Sequence, residues 1–485
     1  MSVTDRRVAE WLFLVTLATY AYFFAGGGWN QNATFDLTRA MVERHTLAID
    51  AYAGNTGDVS FGNGHIYANK APALAWLAAI PYAPLYAFER AHGADAGNAQ
   101  LLTINVYICS LVCVALPGAL IPPMLFLYGR RRGVEARWSA LVSLSIALVT
   151  QLLPYATILM VAVPSAALLL FALTTPRRAL AGFAAALAVA MNYLCAPALV
   201  LFALAGPRKS WLRYTAGSLA PLGALLAYQR ICFGGFFTTS VAVTDPRFLT
   251  HGAPLGVLQW PSPAVLYGIT LSPYRGFFFF APLMAVAIPG FLAWWRQERM
   301  ACAAAIAVIA AFLVFNASFN GWEGGFGIGG RYLAPLIPLF GIALLHVLHV
   351  RWRALAGVAA ALSFTINFAA VAVDPQPSGT IPRPLTQYIV PLLLHGHFAP
   401  TVPITPPWSA ATFTGHTSVN RLSLDEGVVF ARHAPGSEAS EWASFNLGEL
   451  ATGPGDARSL IPIALLILGG GFVIGRLARK AAAAP

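Results

Sequence analysis

The chain has 485 residues, 58% of them hydrophobic and 10% charged, with a formal charge of +11. Repeated apolar runs of about 18 residues or more exclude an ordinary water-soluble protein and indicate several membrane-spanning helices. The positive charge falls in short clusters between those runs, as in cytoplasmic loops, so it reports orientation and not a nucleic-acid partner.

The first apolar run, Val8–Ala25, follows the basic pair Arg6-Arg7. No small-residue cleavage site precedes the polar stretch behind it, so it is expected to stay as a first helix. That polar stretch, Gly27–Lys70, opens an outer loop covering residues 27–97. It carries Asp36, Asp50, Asp58 and Lys70 beside a membrane segment, where an unpaired charge is costly and usually has a purpose. Asp36 and Arg39 stand one helical turn apart in Ala33–Val42, whose Phe35, Leu37 and Met41 suit a helix lying on the membrane surface. The pair reads either as an anchoring ion pair or as a general base, its carboxylate pKa raised beside lipid. Lys70 reads either as a snorkelling lysine or as a phosphate contact. The next run, Ala71–Phe88, holds Pro72, Pro81 and Pro84 together with Trp76, Tyr82 and Tyr86, and is expected to lie flat on the outer face. With that choice every basic cluster can be cytoplasmic.

The remaining crossings are expected at Leu101–Leu127, Trp138–Pro154, Val161–Thr175, Ala179–Leu194, Pro197–Ala205, Tyr214–Arg230, Gly276–Trp295, Ala301–Phe315, Tyr332–His349, Leu355–Val373 and Ser459–Ile474. With the first helix this makes about twelve spans. Outer loops at Ile231–Pro273 and Asn316–Arg331 hold further candidates. Arg275 beside Tyr274, and Arg331 beside Tyr332, each open an inward helix, and a cation at a helix amino end favours an anion. Glu323 lies in a glycine-rich loop, Asn320–Arg331, that lacks the Lys-Ser/Thr of a P-loop, so nucleotide binding is rejected. Its glycines permit a tight loop against a ligand. Asp374–Arg458, the least apolar long stretch, with strand-like alternation near Gly427–Arg432, is expected to form a small extracytoplasmic domain. The division is then 1–373, 374–458 and 459–485. The five cysteines show neither disulfide nor metal spacing and read as packing residues, and His45, His65, His251, His395 and His397 have no metal-helix spacing.

The order of parts resembles the GT-C membrane glycosyltransferases, most of all the aminoarabinose transferase and protein O-mannosyltransferase branch. The likeness covers roughly Trp11 to Arg132. It rests on a first helix, a helix ending in Leu37-Thr38-Arg39-Ala40-Met41, and the Tyr-x-x-Lys-x-Pro element from Tyr67 to Pro72, with support from Gly329 to Pro335. The resemblance implies an all-α polytopic membrane bundle with juxtamembrane helices in the first outer loop. It implies transfer of a hexose or pentose from a polyprenyl-phosphate donor to a lipid, glycan or protein acceptor at the outer face of a bacterial inner membrane. On it, Asp36 is the base, with Asp58 second. Lys70 engages the donor phosphate, and Arg331, Arg275 and Arg39 join it. Asn30, Gln31, Asp50, Tyr67, Tyr274, Glu323, Tyr332 and Trp260 are assigned to the substrate pocket. No cofactor is implied beyond the lipid-linked sugar, and a divalent metal is left open. One departure stands out: Asn30-Gln31 occupies the place of the family's acidic pair. It keeps a non-catalytic polyprenol-binding assembly subunit as an alternative. A lipid or polysaccharide transporter is the other, but it calls for ionisable residues in mid-span, and the apolar runs are nearly free of them.

Overall fold

The computed structural model describes residues 2–26, 28–347, 350–394, 444–453 and 455–483. Helix α1 (Val3–Tyr22) starts at a capping box, with the Ser2 hydroxyl accepting from the Asp5 amide and the Asp5 carboxylate accepting from the Ser2 amide. Among the described residues four helices are long and apolar enough to cross a membrane: Gln100–Arg131, Arg299–Ser318, Arg351–Val373 and Ala457–Ala482. Shorter apolar helices, among them Ala136–Leu148, Ala162–Thr174 and Arg178–Met191, pack between them. The chain is therefore a mostly helical, multi-pass membrane protein, with a continuous apolar core that includes Leu12, Val15, Ile146, Leu169 and Ile342.

Of the roughly twelve expected crossings, four appear as helices long and apolar enough to cross a membrane among the described residues, and others appear as shorter apolar helices. The expected crossing Gly276–Trp295 is broken into Phe277–Phe280, Leu283–Val286 and Ile288–Gln297, with Pro282 and Pro289 at the breaks. Proline brings no amide hydrogen and clashes with the preceding turn. The opposite happens in α3 (Ala73–Ala91), which runs unbroken through Pro81 and Pro84.

The chain also departs from an all-α reading. Among the described residues four short strands occur, β1 (Phe23–Phe24), β2 (Val59–Gly62), β3 (His65–Ala68) and β4 (Phe445–Asn446), in two antiparallel pairs, β1 with β4 and β2 with β3. The β2–β3 hairpin turns on Asn63 and Gly64, both at positive φ, 49° and 80°. That is the two-residue turn whose twist matches paired strands, and Asn-Gly is its preferred sequence.

Helix α2 (Trp29–Arg44) is not the expected surface helix. Every residue from Gln31 to Ala40 is buried, because α3, the hairpin and the turn leading into β2 enclose it. The Phe35 ring meets Tyr82 edge-on at 5.1 Å, and the Thr38 hydroxyl donates to the Ala75 carbonyl at 3.2 Å. The start of the expected extracytoplasmic domain also packs on this body. The Gly327 amide donates to the Pro377 carbonyl at 3.1 Å, and the Gln31 amide group donates to Gln376. The strand-like alternation near Gly427–Arg432, with His395 and His397, lies outside the described residues. All five cysteines are free and buried.

Candidate functional site

The hairpin register decides the site. Val59 is paired with Ala68, so the residues flanking the open end of the hairpin, Asp58 on one side and Asn69-Lys70 on the other, are forced together. The Asn69 amide donates to the Asp58 carbonyl at 3.0 Å, and its side chain donates to the Asp58 carboxylate at 3.3 Å. The Lys70 ammonium then meets Asp58 Oδ2 at 2.8 Å, with both side chains partly open, 24% and 15% exposed.

The long loop before the Pro263–Thr270 helix braces this end. Ser60 and Thr244 form an antiparallel bridge, the Asn69 side chain donates to the Thr244 hydroxyl at 3.1 Å, and the Ser240 hydroxyl donates to the Asn69 carbonyl at 3.0 Å. Behind Asp58, Gly57 lies flat against the Trp29 ring. A β-carbon there would come within 2.6 Å of the indole.

The second half of the site is the glycine-rich loop. Arg331 lies along Gly324, where a β-carbon would fall 2.7 Å from its Nε, and Gly324 itself has a φ of 74°. Arg331 stacks over Tyr332 at 5.1 Å and is within electrostatic range of Asp58 and of the Tyr155 and Tyr332 hydroxyls. Arg275, only 1% exposed, donates to the carbonyls of Gly325 and Gly327 and stacks over Tyr274 at 4.7 Å. Its Nε has no partner among the described residues. The Tyr274 hydroxyl donates to the Gly379 carbonyl, its ring meets Trp322 edge-on at 5.8 Å, and Glu323 is in electrostatic range of it. Lys70 thus pairs with Asp58, Arg331 lies in electrostatic range of the same carboxylate, and Arg275 lies in range of Arg331 and Tyr155. Three cations, Lys70, Arg331 and Arg275, set against the two carboxylates Asp58 and Glu323 make a place where an anion is favoured.

Other predicted residues sit elsewhere. Asp36 is wholly buried, 0% exposed, and accepts from the Asn55 side chain at 3.3 Å, while Asn32 one turn earlier donates to the Asn55 carbonyl at 2.7 Å. It therefore holds the turn that leads to Asp58. The close ion pair of Arg39 is with Glu43 at 2.7 Å, both nearly buried, and not with Asp36. Tyr52 and Tyr82 donate to the same Glu43 carboxylate at 3.0 and 2.6 Å, and Tyr52 lies under Arg39 at 4.3 Å. Burial pulls the Arg39 pKa down, but Glu43 outweighs it, so the guanidinium pKa is raised. Asp50 clamps the hairpin from outside, accepting from the Ile66 amide at 2.7 Å and meeting His65 Nδ1 at 2.7 Å. Tyr67 is buried against Phe233. Asn30 and Gln31 lie in the first turn of α2. Trp260 is 93% exposed and covers nothing.

Sequence reasoning missed the hairpin, Asn55, Thr244 and Tyr155. The Asn63-Gly64 pair, with Val59-Ser60-Phe61 before it and Ile66-Tyr67 after it, was a signal for the first. Nothing local marks the others. Among the described residues no group of three His, Cys, Asp or Glu is placed to hold a metal ion.

No family model and no curated protein matches the chain. Among solved structures, the crystal structure of ArnT from Cupriavidus metallidurans bound to undecaprenyl phosphate is similar. The match covers 98% of this chain and 77% of that chain, at 16% identity and a TM-score of 0.39. A likeness that low leaves the function to be argued from the residues themselves.

Proposed function

We propose that this protein is a GT-C-type membrane glycosyltransferase that moves a sugar from a polyprenyl-phosphate donor to a hydroxyl acceptor. The observation that carries the reading is the placing of Lys70 and Arg331 about Asp58, with Arg275 in electrostatic range of Arg331, built by a hairpin end and a glycine-rich loop from distant parts of the chain. In the proposed step a carboxylate takes the acceptor proton as the acceptor oxygen attacks the anomeric carbon. The bond from that carbon to the phosphate oxygen breaks, and its electron pair leaves with the polyprenyl phosphate. Lys70 and Arg331 face the charge that develops there, and Arg275 fixes the loop that carries Arg331. Fixed positive charge at developing negative charge is usually the largest catalytic term.

The geometry favours Asp58 over Asp36 as the carboxylate in contact with substrate, since Asp58 is partly open and Asp36 is sealed behind Asn55. Asp36 then acts as a positioning residue for the turn before β2. The test is transfer from labelled polyprenyl-phosphate sugars in vesicles. Lys70→Ala and Asp58→Asn are expected to abolish transfer with the protein still folded, whereas full activity in either variant overturns the reading.

A further inference from the structure

The loop from Gly234 to Ser262 does more than brace the hairpin. On its inner side it is tied to both halves of the site: to the hairpin through Thr244 and Ser240, and to the end of the Arg299–Ser318 helix, just before the glycine-rich loop, through a Leu258–Phe319 bridge. The Asn320 amide donates to the Val257 carbonyl at 3.0 Å, and its side chain donates to the Phe248 carbonyl at 2.8 Å. Its charged pair is turned inward, Arg247 meeting Asp245 at 3.2 Å with both side chains nearly buried.

On its outer side the loop presents Phe236, Phe237, Leu255 and Trp260, with Phe237 87% exposed and Trp260 93%. Aromatic side chains held in the open by a loop with its charges folded inward are out of place in water. They continue an apolar surface. The Trp211–Phe233 helix before the loop exposes Leu212, Leu219 and Ile231, and the Pro263–Thr270 helix after it exposes Leu266 and Tyr267. In a membrane protein such helix faces meet lipid, and the loop tips extend the same band. Arg230, exposed and donating to the Gly234 carbonyl at 2.8 Å, stands where the Trp211–Phe233 helix passes into the loop, and His251 within the loop is also exposed. Aromatic rings flanked by a cation match the headgroup boundary of a bilayer.

From this we infer that residues 234–262 form a membrane-seated strap whose Phe236, Phe237 and Trp260 enter the leaflet interface beside the site. The occupant of the exposed aromatic face is the bilayer itself. The inference does not depend on whether the site transfers a sugar, and its test uses no activity.

The full-length protein with Phe237→Cys or Trp260→Cys is labelled with an environment-sensitive fluorophore and placed in lipid nanodiscs, with Lys209→Cys as the water-facing reference. The native cysteines are buried, and mass measurement verifies one label per chain. The strap predicts blue-shifted emission at both positions, with several-fold stronger quenching by lipids spin-labelled near the headgroup than by aqueous iodide. Should labelling disturb the loop, native Trp260 gives a second reading: the emission lost in Trp260→Phe is expected to be the part quenched by brominated lipid. Emission and iodide quenching equal to those at position 209, or no brominated-lipid quenching of Trp260, overturns the inference.

Discussion

The Asp58 carboxylate and the Lys70 ammonium meet at 2.8 Å although twelve positions (70 − 58) separate them, because a two-residue turn folds the chain back and leaves them at the same open end. The meeting depends on the turn. Gly64 has a φ of 80° and open space where a side chain would go, so Gly64→Val strains only the backbone. Leaving the left-handed region to a branched residue costs about 1–2 kcal/mol.

A separate readout exists for that turn. Cys232 packs against the hairpin, and the Asn63 side chain donates to its carbonyl at 3.3 Å. Burial pushes the Cys232 thiol up to about 12, the Tyr228 hydroxyl offsetting little of it. Cys232 is therefore expected to resist maleimide at pH 8 in the native protein and to label faster in Gly64→Val, with transfer lowered in parallel. Equal labelling in both would show that the turn does not hold the hairpin in place.

Gly324→Ala addresses the other half of the site. The substitution meets both a positive φ and the Arg331 side chain at 2.7 Å. The expected result is a folded protein with weaker donor binding, by roughly the tenfold that about 1–2 kcal/mol of strain implies. Titration of the variant with polyprenyl phosphate checks it, and unchanged affinity would remove Arg331 from the donor site.

Glu43 offers a stability prediction unconnected with substrate. It accepts from Arg39, Tyr52 and Tyr82 in a nearly closed site. Glu43→Ala leaves a buried guanidinium without its counter-charge, a change of about 3–5 kcal/mol. A marked fall in melting temperature is expected, and Glu43→Gln recovers part of it through the remaining hydrogen bonds.

Asp5 gives a pH signature. Burial raises its pKa, but the hydrogen bond and charge of Arg130 at 2.9 Å and the Ser2 contacts lower it more, so the net shift is downward from 3.8. A carboxylate with a depressed folded pKa stabilises above its unfolded value and stops doing so as pH falls through the folded one. Asp5→Asn is thus expected to lower the melting temperature at pH 7 and to make progressively less difference as pH falls below 3.8 through the folded-state pKa. A gap that persists at acid pH would assign the effect to the helix cap instead.

Lys70, Arg275, Arg331 and Asp58 were all legible in the sequence as charges beside a membrane, because apolar runs make such residues conspicuous. What joins them was not. The alternating pattern around Asn63-Gly64 spans too few residues to stand out between helices. Arg39 has both Asp36 and Glu43 within one turn, and only the burial of α2 between α3 and the hairpin decides for Glu43. The contact of the 374–380 segment with the glycine-rich loop joins residues about fifty apart, Gly327 and Pro377, and no local pattern encodes it. The break within the expected crossing Gly276–Trp295 was not legible either: proline breaks a helix at Pro282 and is carried at Pro81 and Pro84, and tertiary packing makes the difference.

The central claim is that one cluster of cations grips a lipid phosphate. Native mass spectrometry of the purified full-length protein with added undecaprenyl phosphate tests it most directly. The wild-type chain is expected to retain one lipid. Lys70→Ala and Arg331→Ala are each expected to bind roughly ten- to a hundredfold more weakly, the effect of losing about 1.5–3 kcal/mol from a charged hydrogen bond. Equal retention of the lipid by the wild type and both variants would contradict the account.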